Sequence, residues 1–490
     1  MSAGMLWIAI CLPDLPLQLA QRANREERPC AVVDGPAAQA VVRCANPAAL
    51  DRGVEPGMSV AAARARVGEL AVVQRDEAAE TRALHNLACW ACQFTPGVTL
   101  HPAGGLILEV ASTLNLHGGL ARLLGRIRQG IAGLGYHAEP GIAPTPRAAW
   151  LLARARHAGL RVRMCTAPAT LPERLANLPL SLLDWPEGTT APLRSLGIRR
   201  IGACLALPRD GFIRRFGAAA QLDLDKILGT APDPHSAFTP PDRFSARAEF
   251  GFEVADALAL SFPLKRLLQE LEGFLRGRGA GVQRWHLLLE HMNHGRTRIE
   301  MGVVAPERSA ERFLALARER LARTALMAPV LALEICADRL LPYEACSRSL
   351  FPDPRTRAIG WGHLMDRLAA RLGHGRIYGV QPLDGHRPER GWRLREAAGP
   401  AGPGRAVPLA PGPRPLWLLQ PPRALPIHAG NPMCHGRLDL LAGPERIESG
   451  WWDDEPAHRD YYVARNPRGE TLWIYREHRD SAWYLHGVFG

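Results

Sequence analysis

Over the first 170 residues, apolar and polar positions alternate in a pattern that predicts short strands separated by amphipathic helices. Residues 5–11 (MLWIAIC) are an apolar run of strand length, which is typical of a strand buried on both faces. Helices are expected where apolar residues recur at helical spacing, as Leu84, Leu87 and Trp90 do. The predicted elements are, in chain order, strand 5–11, a helix at about 17–24, strands 30–35 and 37–45, helical segments within 47–66, helices 77–94 and 116–134, and a strand end, turn and helix within 141–155. This alternation predicts an α/β or α+β domain around one sheet.

Residues 98–111 (VTLHPAGGLILEVA) predict a tight hairpin between two of these helices. Gly104 and Gly105 lie between two apolar runs, and a Gly-Gly pair in that position is typical of a chain reversal. The reversal therefore carries no side chain that could bind a metal ion.

Farther along the chain, the pattern indicates additional modules. Residues 193–205 (LRSLGIRRIGACL) have the form of a helix-hairpin-helix, in which two helices flank a Leu-Gly-Ile turn. From 243 to 341 the predicted order is strand, helix, strand, strand, helix, strand. Residues 397–415 are dense in Pro and Gly and predict a flexible or extended linker. The last block, 416–490, is rich in Trp and Tyr and predicts four β-strands with turns between them.

Composition favours an intracellular chain with a polyanionic partner. The length suffices for about three or four domains, and no apolar run of about 18 residues occurs, so no membrane span is expected. The net charge is +12, and the basic residues are almost all Arg, whose planar guanidinium binds two phosphate oxygens at once. Genome-driven Arg enrichment is the alternative explanation. The cysteines show no disulfide-like spacing, which fits a reducing cytosol, and Cys89 and Cys92 are typical of core cysteines rather than of a zinc or redox site.

The order of these segments resembles the Y-family translesion DNA polymerases over most of the chain. The resemblance is carried by AICLPDLPLQLAQ at the first strand, VVRCANPAALDRGVEPGM after the second, HPAGGLILEV at the hairpin and GIAPTPRAA before a later helix. In that family the first strand ends in Asp-x-Asp, the hairpin carries Asp and Glu, the fingers carry Tyr and Arg for the triphosphate, and an Asn-Lys pair follows. The resemblance assigns metal binding to the positions of Cys11, Pro13, Gly104 and Gly105, and nucleotide binding to those of Pro47, Leu50, Thr145 and Pro146, with Arg147 the nearest cation.

None of the positions aligned with metal ligands offers a carboxylate. Polymerases hold two Mg²⁺ ions about 3.5–4 Å apart, and Mg²⁺ needs oxygen ligands, among which carboxylates help to neutralise its charge. Asp14 is next to Pro13 but should point elsewhere, and Glu109 is roughly 13 Å beyond Gly105 along an extended strand. The sequence therefore predicts a polymerase-shaped protein that is not an enzyme and uses no metal or cofactor. The alternatives are an active, divergent translesion polymerase with displaced metal ligands and a plain turn in an unrelated fold.

The helix-hairpin-helix segment resembles part of the family's thumb and predicts a phosphate-binding element. A turn at Gly197 and Ile198 can present backbone N–H groups to a phosphate, and the start of the next helix, which contains Gly202, adds partial positive charge. Arg199 and Arg200 lie beside the turn. The alternatives are an ordinary αα-hairpin with surface arginines and a DNA repair enzyme such as a glycosylase, for which Asp210 would be the available acid.

The module at 243–345 resembles the Y-family little finger, which packs on duplex DNA. Arginines on or beside its strands are candidates for sequence-independent phosphate contacts, namely Arg243, Arg247, Arg284, Arg296 and Arg298. The alternative is a solvated basic sheet face.

A short peptide after this module predicts a protein partner. The segment SRSLF, which begins at Ser347, resembles the peptides that dock into the bacterial sliding clamp, although Ser347 stands where Gln is expected. Leu350 and Phe351 would enter an apolar pocket of the clamp. The alternative is a hydrophobic anchor that ties a linker to the core.

The tail carries aromatic candidates for partner docking, namely Trp451, Trp452, Tyr461, Tyr462 and Trp473. An aromatic and slightly acidic block favours protein over DNA, and a small β-domain whose aromatics fill its core is the alternative. The segments GPERIESGWW, RDYYVAR, LWIYRE and WYLHG resemble the C-terminal domain of ImuB-type proteins, non-catalytic Y-family members of bacterial damage-induced mutagenesis complexes. That resemblance implies four partners in the bacterial cytoplasm and nucleoid: primed or damaged DNA, the β sliding clamp, an error-prone C-family DNA polymerase and a RecA-like accessory protein.

The expected fold is multidomain α+β, with a Y-family palm, fingers, thumb and little finger and a small C-terminal β-rich domain. The expected boundaries are palm-like 1–25 and 76–170, fingers-like 26–75, thumb 171–238, little finger 243–345, a linker with the clamp-binding peptide at 346–415, and an aromatic-rich domain at 416–490.

Overall fold

The structure is a computed structural model that describes residues 5–23, 28–36, 39–292, 295–343, 362, 364–369, 371–372, 376–383, 385–396, 413–452 and 456–489. The chain divides into two compact units, Met1–Leu350 and Phe351–Gly490. Among the residues described, no helix is both long enough and apolar enough to cross a membrane.

The first unit consists of β-sheets and the helices that pack on them. Its described strands are β1 (Trp7–Cys11), β2 (Cys30–Asp34), β3 (Val41–Ala45), β4 (Ala71–Gln74), β5 (Val98–His101), β6 (Gly105–Glu109), β7 (Pro140–Ala143), β8 (Phe244–Val254), β9 (Ala280–His291), β10 (Arg296–Glu307), β11 (Val330–Ala337) and β12 (Leu341–Pro342). Its described helices are α1 (Leu15–Ala23), α2 (Pro47–Leu50), α3 (Val60–Arg66), α4 (Glu77–Ala91), α5 (Leu120–Gly133), α6 (Pro146–His157), α7 (Leu171–Ala176), α8 (Glu187–Ser195), α9 (Ile201–Leu205), α10 (Arg209–Phe216), α11 (Ala218–Leu228), α12 (Ser261–Gly277) and α13 (Ala310–Leu321). Single 3-10 turns occur at Ala111–Thr113, Pro168–Thr170 and Leu180–Leu183.

The central sheet has the strand order β5-β6-β1-β7 and is antiparallel throughout. Alternate side chains of β1 point to opposite faces of the sheet. Ile8 and Ile10 join an apolar cluster with residues of α4 and α5, whereas Ala9 and Cys11 pack with residues of α6. The predicted strand buried on both faces is therefore confirmed, and each buried isoleucine contributes about 1.5–3 kcal/mol of hydrophobic stabilisation.

A small sheet with the order β3-β2-β4 forms a separate apolar cluster with helices α2 and α3. The buried side chain of Asn46 connects its parts, because its carboxamide oxygen accepts the N–H groups of Cys30 and Ala49, both at 3.0 Å. Its amide nitrogen donates to the carbonyl oxygen of Arg28 at 2.7 Å. Strand β4, which runs parallel to β2, was not predicted because AVVQ is only four residues long.

The helices from α7 to α11 pack on the outer side of α6. Leu175, Leu193, Ile201 and Phe212 are buried in the same apolar cluster as Leu151 of α6. This continuous core attaches the helix-hairpin-helix segment to the face of the central sheet that carries Cys11.

A third sheet, in which β10, β9, β11 and β8 pair in that order, is covered on one face by α12 and α13. The predicted order of strand, helix, strand, strand, helix, strand is confirmed by these elements. Helix α12 also packs on α4, and glycines make this approach possible. A Cβ at Gly273 would lie 2.3 Å from Cδ1 of Trp90, and one at Gly277 would lie 2.9 Å from Cβ of Cys92.

The second unit contains an antiparallel sheet of aromatic-rich strands. The described strands of this unit are β13 (Tyr378–Pro382), β14 (Trp392–Glu396), β15 (Trp417–Leu425), β16 (Ile427–His428), β17 (Asn431–Pro432), β18 (Asp439–Ser449), β19 (Ala457–Arg465), β20 (Thr471–Glu477) and β21 (Trp483–Val488). The sheet order is β15-β21-β20-β19-β18, so the four predicted strands are confirmed and the edge strand β15 is additional. A separate hairpin of β13 and β14 lies within the segment expected to be a linker.

Candidate functional site

The hairpin of β5 and β6 brings the aligned metal-binding positions together beside β1. Cys11 is the register partner of Gly105, and the N–H of Leu12 donates to the carbonyl oxygen of Gly104 at 3.0 Å. Gly104 has a φ of +86°, a left-handed conformation that favours glycine at the reversal. The two sequence segments aligned with the polymerase metal site are therefore adjacent in space.

The indole of Trp150 occupies the space next to the hairpin. A Cβ built on Gly105 would lie 2.3 Å from the carbonyl oxygen of Ile10 and 2.7 Å from Cζ3 of Trp150. Trp150 is 6% exposed, and its ring stacks on His101 with centroids 3.6 Å apart and an interplanar angle of 18°. A side chain at position 105, acidic or otherwise, does not fit without displacement of both the backbone and this ring.

The start of helix α6 explains how Trp150 comes to lie there. The side chain of Thr145 caps the helix by accepting the N–H of Ala148 at 3.3 Å, and it donates to the carbonyl oxygen of Ile227 at 2.7 Å. Pro146 is the first helical residue, where its missing N–H costs nothing. These contacts fix the helix at its first turn, so that Trp150, one turn later, faces the hairpin.

Cys11 stands at the first aligned position, but its chemistry does not suit a metal ligand. Its side chain is 3% exposed, and burial raises the pKa of the thiol to about 12. The thiolate, which is the ligating form of cysteine, is therefore scarce at neutral pH.

Two acids that neighbour the aligned positions in the sequence are engaged elsewhere. Asp14 lies 3.2 Å from Nε2 of His157, and this contact lowers the pKa of Asp14 and raises that of His157. Glu109 accepts the N–H of Ala111 at 2.9 Å and the hydroxyl of Ser112 at 3.3 Å. Within the described residues, no group of three or more His, Cys, Asp or Glu side chains could hold a metal ion. The residues at the aligned positions thus do not fit a pair of Mg²⁺ ions.

The aligned nucleotide-binding positions carry no cation. Pro47 is exposed at the start of α2, and the side chain of Leu50, at the end of that helix, is 45% exposed. Pro146 is buried at the start of α6. Arg147 pairs with Asp223 of α11 and donates to Asp233 at 3.0 Å, so the nearest guanidinium is held by two carboxylates.

The helix-hairpin-helix segment presents its predicted turn to solvent. Gly197 has a φ of +79°, and a Cβ there would meet no atom within 4 Å. The N–H of Ile198 returns to the carbonyl oxygen of Leu193 at 3.0 Å, which closes the turn after α8. Arg199 and Arg200 are both exposed. Their guanidinium groups can therefore reach a phosphate backbone.

Gly202 has a different role from the other residues of the turn. A Cβ there would lie 2.7 Å from Cβ of Ala176, so the glycine allows α9 to pack against α7. Arg200 donates to the side-chain oxygen of Asn177 at 3.1 Å, which links the turn to the end of α7. Packing of this kind holds the turn in place.

The arginines of the third sheet share its outer face with carboxylates. Arg247 lies 2.7 Å from Glu290 and donates to Glu249 at 2.9 Å, while Arg298 contacts His286 at 2.8 Å. Arg243, Arg284 and Arg296 are exposed, and Arg296 is the register partner of Glu290. Side chains alternate between the two faces of a strand, and this alternation places four acids on the same face as the strand arginines. These acids are Glu249, Glu290, Glu300 and Glu334. The face is therefore of mixed charge, which the positions of the arginines alone did not indicate.

Comparisons with known proteins identify the family. Residues 16–154 match the impB/mucB/samB family. The chain is 30% identical over 467 residues to Protein ImuB of Caulobacter vibrioides strain NA1000 / CB15N, and the match covers 89% of this chain and 100% of that protein. Protein ImuB of a second strain, ATCC 19089, matches to the same extent. This chain belongs to the ImuB family.

Solved structures with similarity to this ImuB family member include the following two. DinB from Sulfolobus solfataricus is 15% identical with a TM-score of 0.40, and an insertion ternary complex of Dbh DNA polymerase is 15% identical with a TM-score of 0.41. Each match covers 69% of this chain and 100% of the other. Together with family membership, the observed elements confirm the predicted multidomain α+β fold of Y-family type with a C-terminal β-rich domain.

In this ImuB family member, the aromatic candidates of the tail divide into two groups. Trp451 and Trp452, in the turn after β18, are 80% and 63% exposed, and their rings meet edge to face at 5.3 Å. Tyr461 and Trp473 are each 1% exposed and stack at 4.1 Å, so they belong to one apolar cluster of the sheet. Tyr462 is partly buried against a separate cluster that includes Ile474 and Leu485. The clamp-peptide candidates Ser347, Leu350 and Phe351 lie outside the described residues.

Two residues at the hairpin were not singled out from the sequence, namely Trp150 of α6 and His101 of β5. Trp150 fills the space beside Gly105, and its ring stacks on His101. The sequence indicates them only indirectly. Two glycines at positions that carry acids in the family leave space without side chains, and a closely packed interior requires a bulky neighbouring residue to fill that space.

Proposed function

We propose that this chain is a catalytically inactive Y-family homologue that acts as a DNA-binding and clamp-binding adaptor in damage-induced mutagenic translesion synthesis, within an SOS-type response. The observation that carries this proposal is the position of Trp150 against Gly105, since a Cβ on that glycine would lie 2.7 Å from the indole. A polymerase needs a metal-binding carboxylate where this chain has an indole ring packed against the backbone.

The adaptor role follows from what the fold retains without that chemistry. The thumb-like hairpin at Gly197 is exposed, the arginines beside it are exposed, and the chain has a net charge of +12. Phosphate contacts of this type bind DNA without reading its sequence. Such a protein can mark a primed or damaged site for an enzyme that it recruits.

A primer-extension assay tests the absence of catalysis. Purified full-length protein is given primed template, all four deoxynucleoside triphosphates, and Mg²⁺ or Mn²⁺ in separate reactions. We expect no extension with either ion, because the positions aligned with the metal ligands offer no carboxylate and the aspartates of the neighbouring cavity wall are paired with cations. The competing hypothesis, an active polymerase with displaced ligands, requires Mg²⁺-dependent extension, and observation of that activity in protein free of contaminating polymerase would refute our proposal.

DNA binding is tested by the salt dependence of affinity. Each phosphate contact lowers the logarithm of the binding constant with a slope of about 0.9 against the logarithm of salt concentration. We expect full-length protein to show a slope equivalent to several contacts on primed DNA. A slope near zero would contradict the proposed contacts of the thumb and little finger.

The protein partners are proposed from family membership and from the exposed tail. The implied partners are the β sliding clamp, an error-prone C-family DNA polymerase and a RecA-like accessory protein. Trp451 and Trp452 are the largest exposed aromatic pair in the described tail, and exposed aromatics of this kind serve as anchors in protein interfaces. A pull-down of the C-family polymerase and of the accessory protein should therefore fail when both tryptophans are replaced by alanine.

Two controls keep the partner experiment specific. Trp417 is 71% exposed in the edge strand β15, so Trp417→Ala removes a similar ring from another surface and should leave capture unchanged. Leu350→Ala with Phe351→Ala should abolish clamp binding alone. Equal capture by the wild-type chain and by the Trp451 and Trp452 variant would contradict the docking role of this pair.

A further inference from the structure

A cavity of about 690 Å³ lies beside the hairpin of the first unit and is not used by the proposed function. Its walls come from β5, α6, the 3-10 turn Leu180–Leu183, α11 and residues 233–238. A volume of this size falls within the range of about 300–1,000 Å³ that small-ligand sites have. None of its lining residues comes from the fingers-like segment, so the cavity differs from the site to which Pro47 and Leu50 align.

The charged groups in the cavity wall neutralise one another. The pairs are Arg147 with Asp223 and Asp233, Lys226 with Asp233, and Arg154 with Asp184. A phosphate group would have to break one of these pairs and leave a carboxylate without its cation, which costs free energy in a partly buried site. The wall therefore favours a neutral polar ligand over a multiply charged anion.

One wall of the cavity is aromatic. The ring of His101 stacks on Trp150, and burial lowers its pKa to about 4, so the ring is neutral at pH 7. Nδ1 of His101 accepts the N–H of Ala103 at 3.2 Å, which in the neutral ring places the hydrogen on Nε2. Phe238 and Pro102 extend the apolar part of the wall. A flat ligand ring with hydrogen-bonding groups on its edge could stack on this aromatic wall and accept a hydrogen bond from Nε2 of His101.

We propose that this cavity accepts one unpaired nucleobase of a bound DNA strand, which stacks on the wall formed by His101 and Trp150 and is held without contact to phosphate. The opposite wall belongs to the thumb-like helices, whose exposed turn is the proposed phosphate-binding element. A strand held by that turn supplies the base, and to this extent the inference rests on the proposed function. An extrahelical base at a mismatch or a lesion is the substrate class that the cavity selects, because an unpaired base leaves the duplex at the least cost.

Fluorescence of 2-aminopurine tests this proposal with the full-length chain. The probe is placed at the unpaired 3′ end of a primer annealed to template, and DNA binding is measured in parallel by anisotropy of a dye on the far end. Stacking in the cavity should quench 2-aminopurine in the wild-type complex. The variants His101→Ala, which removes the stacking ring, and Ser236→Phe, which fills the cavity from an exposed position, should lose the quenching and keep the anisotropy change.

Matched controls are available at exposed positions of the first unit that do not line the cavity. His137→Ala removes an exposed histidine that does not line the cavity, and Ala237→Phe places the same bulk one residue from Ser236. Both should quench as the wild type does. If His101→Ala and Ser236→Phe also quench as the wild type does, the nucleobase site is refuted while DNA binding stands.

Free ligands separate this inference from the proposed function. If neither the wild-type protein nor any variant binds the DNA, the proposed function fails. Titration with free 2-aminopurine riboside then tests the nucleobase site independently of DNA binding. Riboside affinity should fall about five-fold or more in His101→Ala, in line with the worth of one base–aromatic stack. Absence of riboside quenching by the wild type, or a triphosphate that binds ten-fold tighter than the riboside, would overturn the neutral nucleobase site.

Discussion

Replacement of Gly105 by alanine tests whether the hairpin has room for any side chain. The added Cβ would lie 2.3 Å from the carbonyl oxygen of Ile10 and 2.7 Å from Cζ3 of Trp150. The carbonyl is part of the paired strand β1, so it cannot move without disturbing the register of Cys11 with Gly105. We expect a loss of unfolding free energy of about 1–3 kcal/mol or more, the range found for overpacked cores.

Chemical unfolding of the full-length chain, followed by near-ultraviolet circular dichroism, measures this loss. Gly125→Ala in α5 is the control, because a Cβ there would meet no atom within 4 Å. In that exposed helical position alanine should stabilise the chain by about 0.5–1 kcal/mol.

The coupling between Gly105 and Trp150 identifies the cause of the loss. In a Trp150→Leu background the cost of Gly105→Ala should be smaller, with a coupling energy of about 0.5–3 kcal/mol. If Gly105→Ala unfolds at the wild-type midpoint, the space beside the hairpin is open, and the reasoning that excludes a ligand from this position is wrong.

Three further predictions concern other parts of the chain. Pairing lowers the pKa of Asp14 from 3.8 and raises that of His157 from 6.5, so the pair stabilises the fold between these values. The stabilisation is lost as pH falls through the lowered pKa of Asp14, and it is also lost as pH rises through the raised pKa of His157. When unfolding midpoints are measured across pH, those of the wild type and of Asp14→Asn should therefore converge at low and at high pH. Tyr461→Ala should destabilise the second unit by about 3–5 kcal/mol in thermal unfolding, because the ring is 1% exposed. Arg199→Ala with Arg200→Ala should weaken DNA binding for all sequences and reduce the salt slope by about 1 for each phosphate that is no longer bound, whereas an unchanged slope would remove both residues from the interface.

Local sequence patterns predicted the elements that are marked by a continuous apolar run or by turn residues. Strand β1 and the hairpin at Gly104 were recognised because apolar runs and turn residues report directly on strand and reversal. Strand β15 was missed because Pro421 and Pro422 interrupt its pattern, and an edge strand tolerates proline, since one of its sides has no partner strand.

The content of the candidate site depends on tertiary packing and could be predicted only in part. The absence of carboxylates at Cys11 and Gly105 is visible in the sequence. The placement of Trp150 is not, because it requires helix α6 to pack across the sheet. The charge of the third sheet shows the same limit, since Arg247 lies beside Glu290 only after two distant strands have taken their places around β11.

Binding of Mn²⁺ tests the central claim most directly, because electron paramagnetic resonance distinguishes free manganese from manganese held by protein ligands. Full-length protein is titrated with Mn²⁺ in the presence of primed DNA and a deoxynucleoside triphosphate. We predict the signal of Mn²⁺ with DNA and nucleotide alone, with no contribution that depends on the protein. A protein-dependent signal from two coupled manganese ions, which polymerases hold about 3.5–4 Å apart, would contradict this prediction.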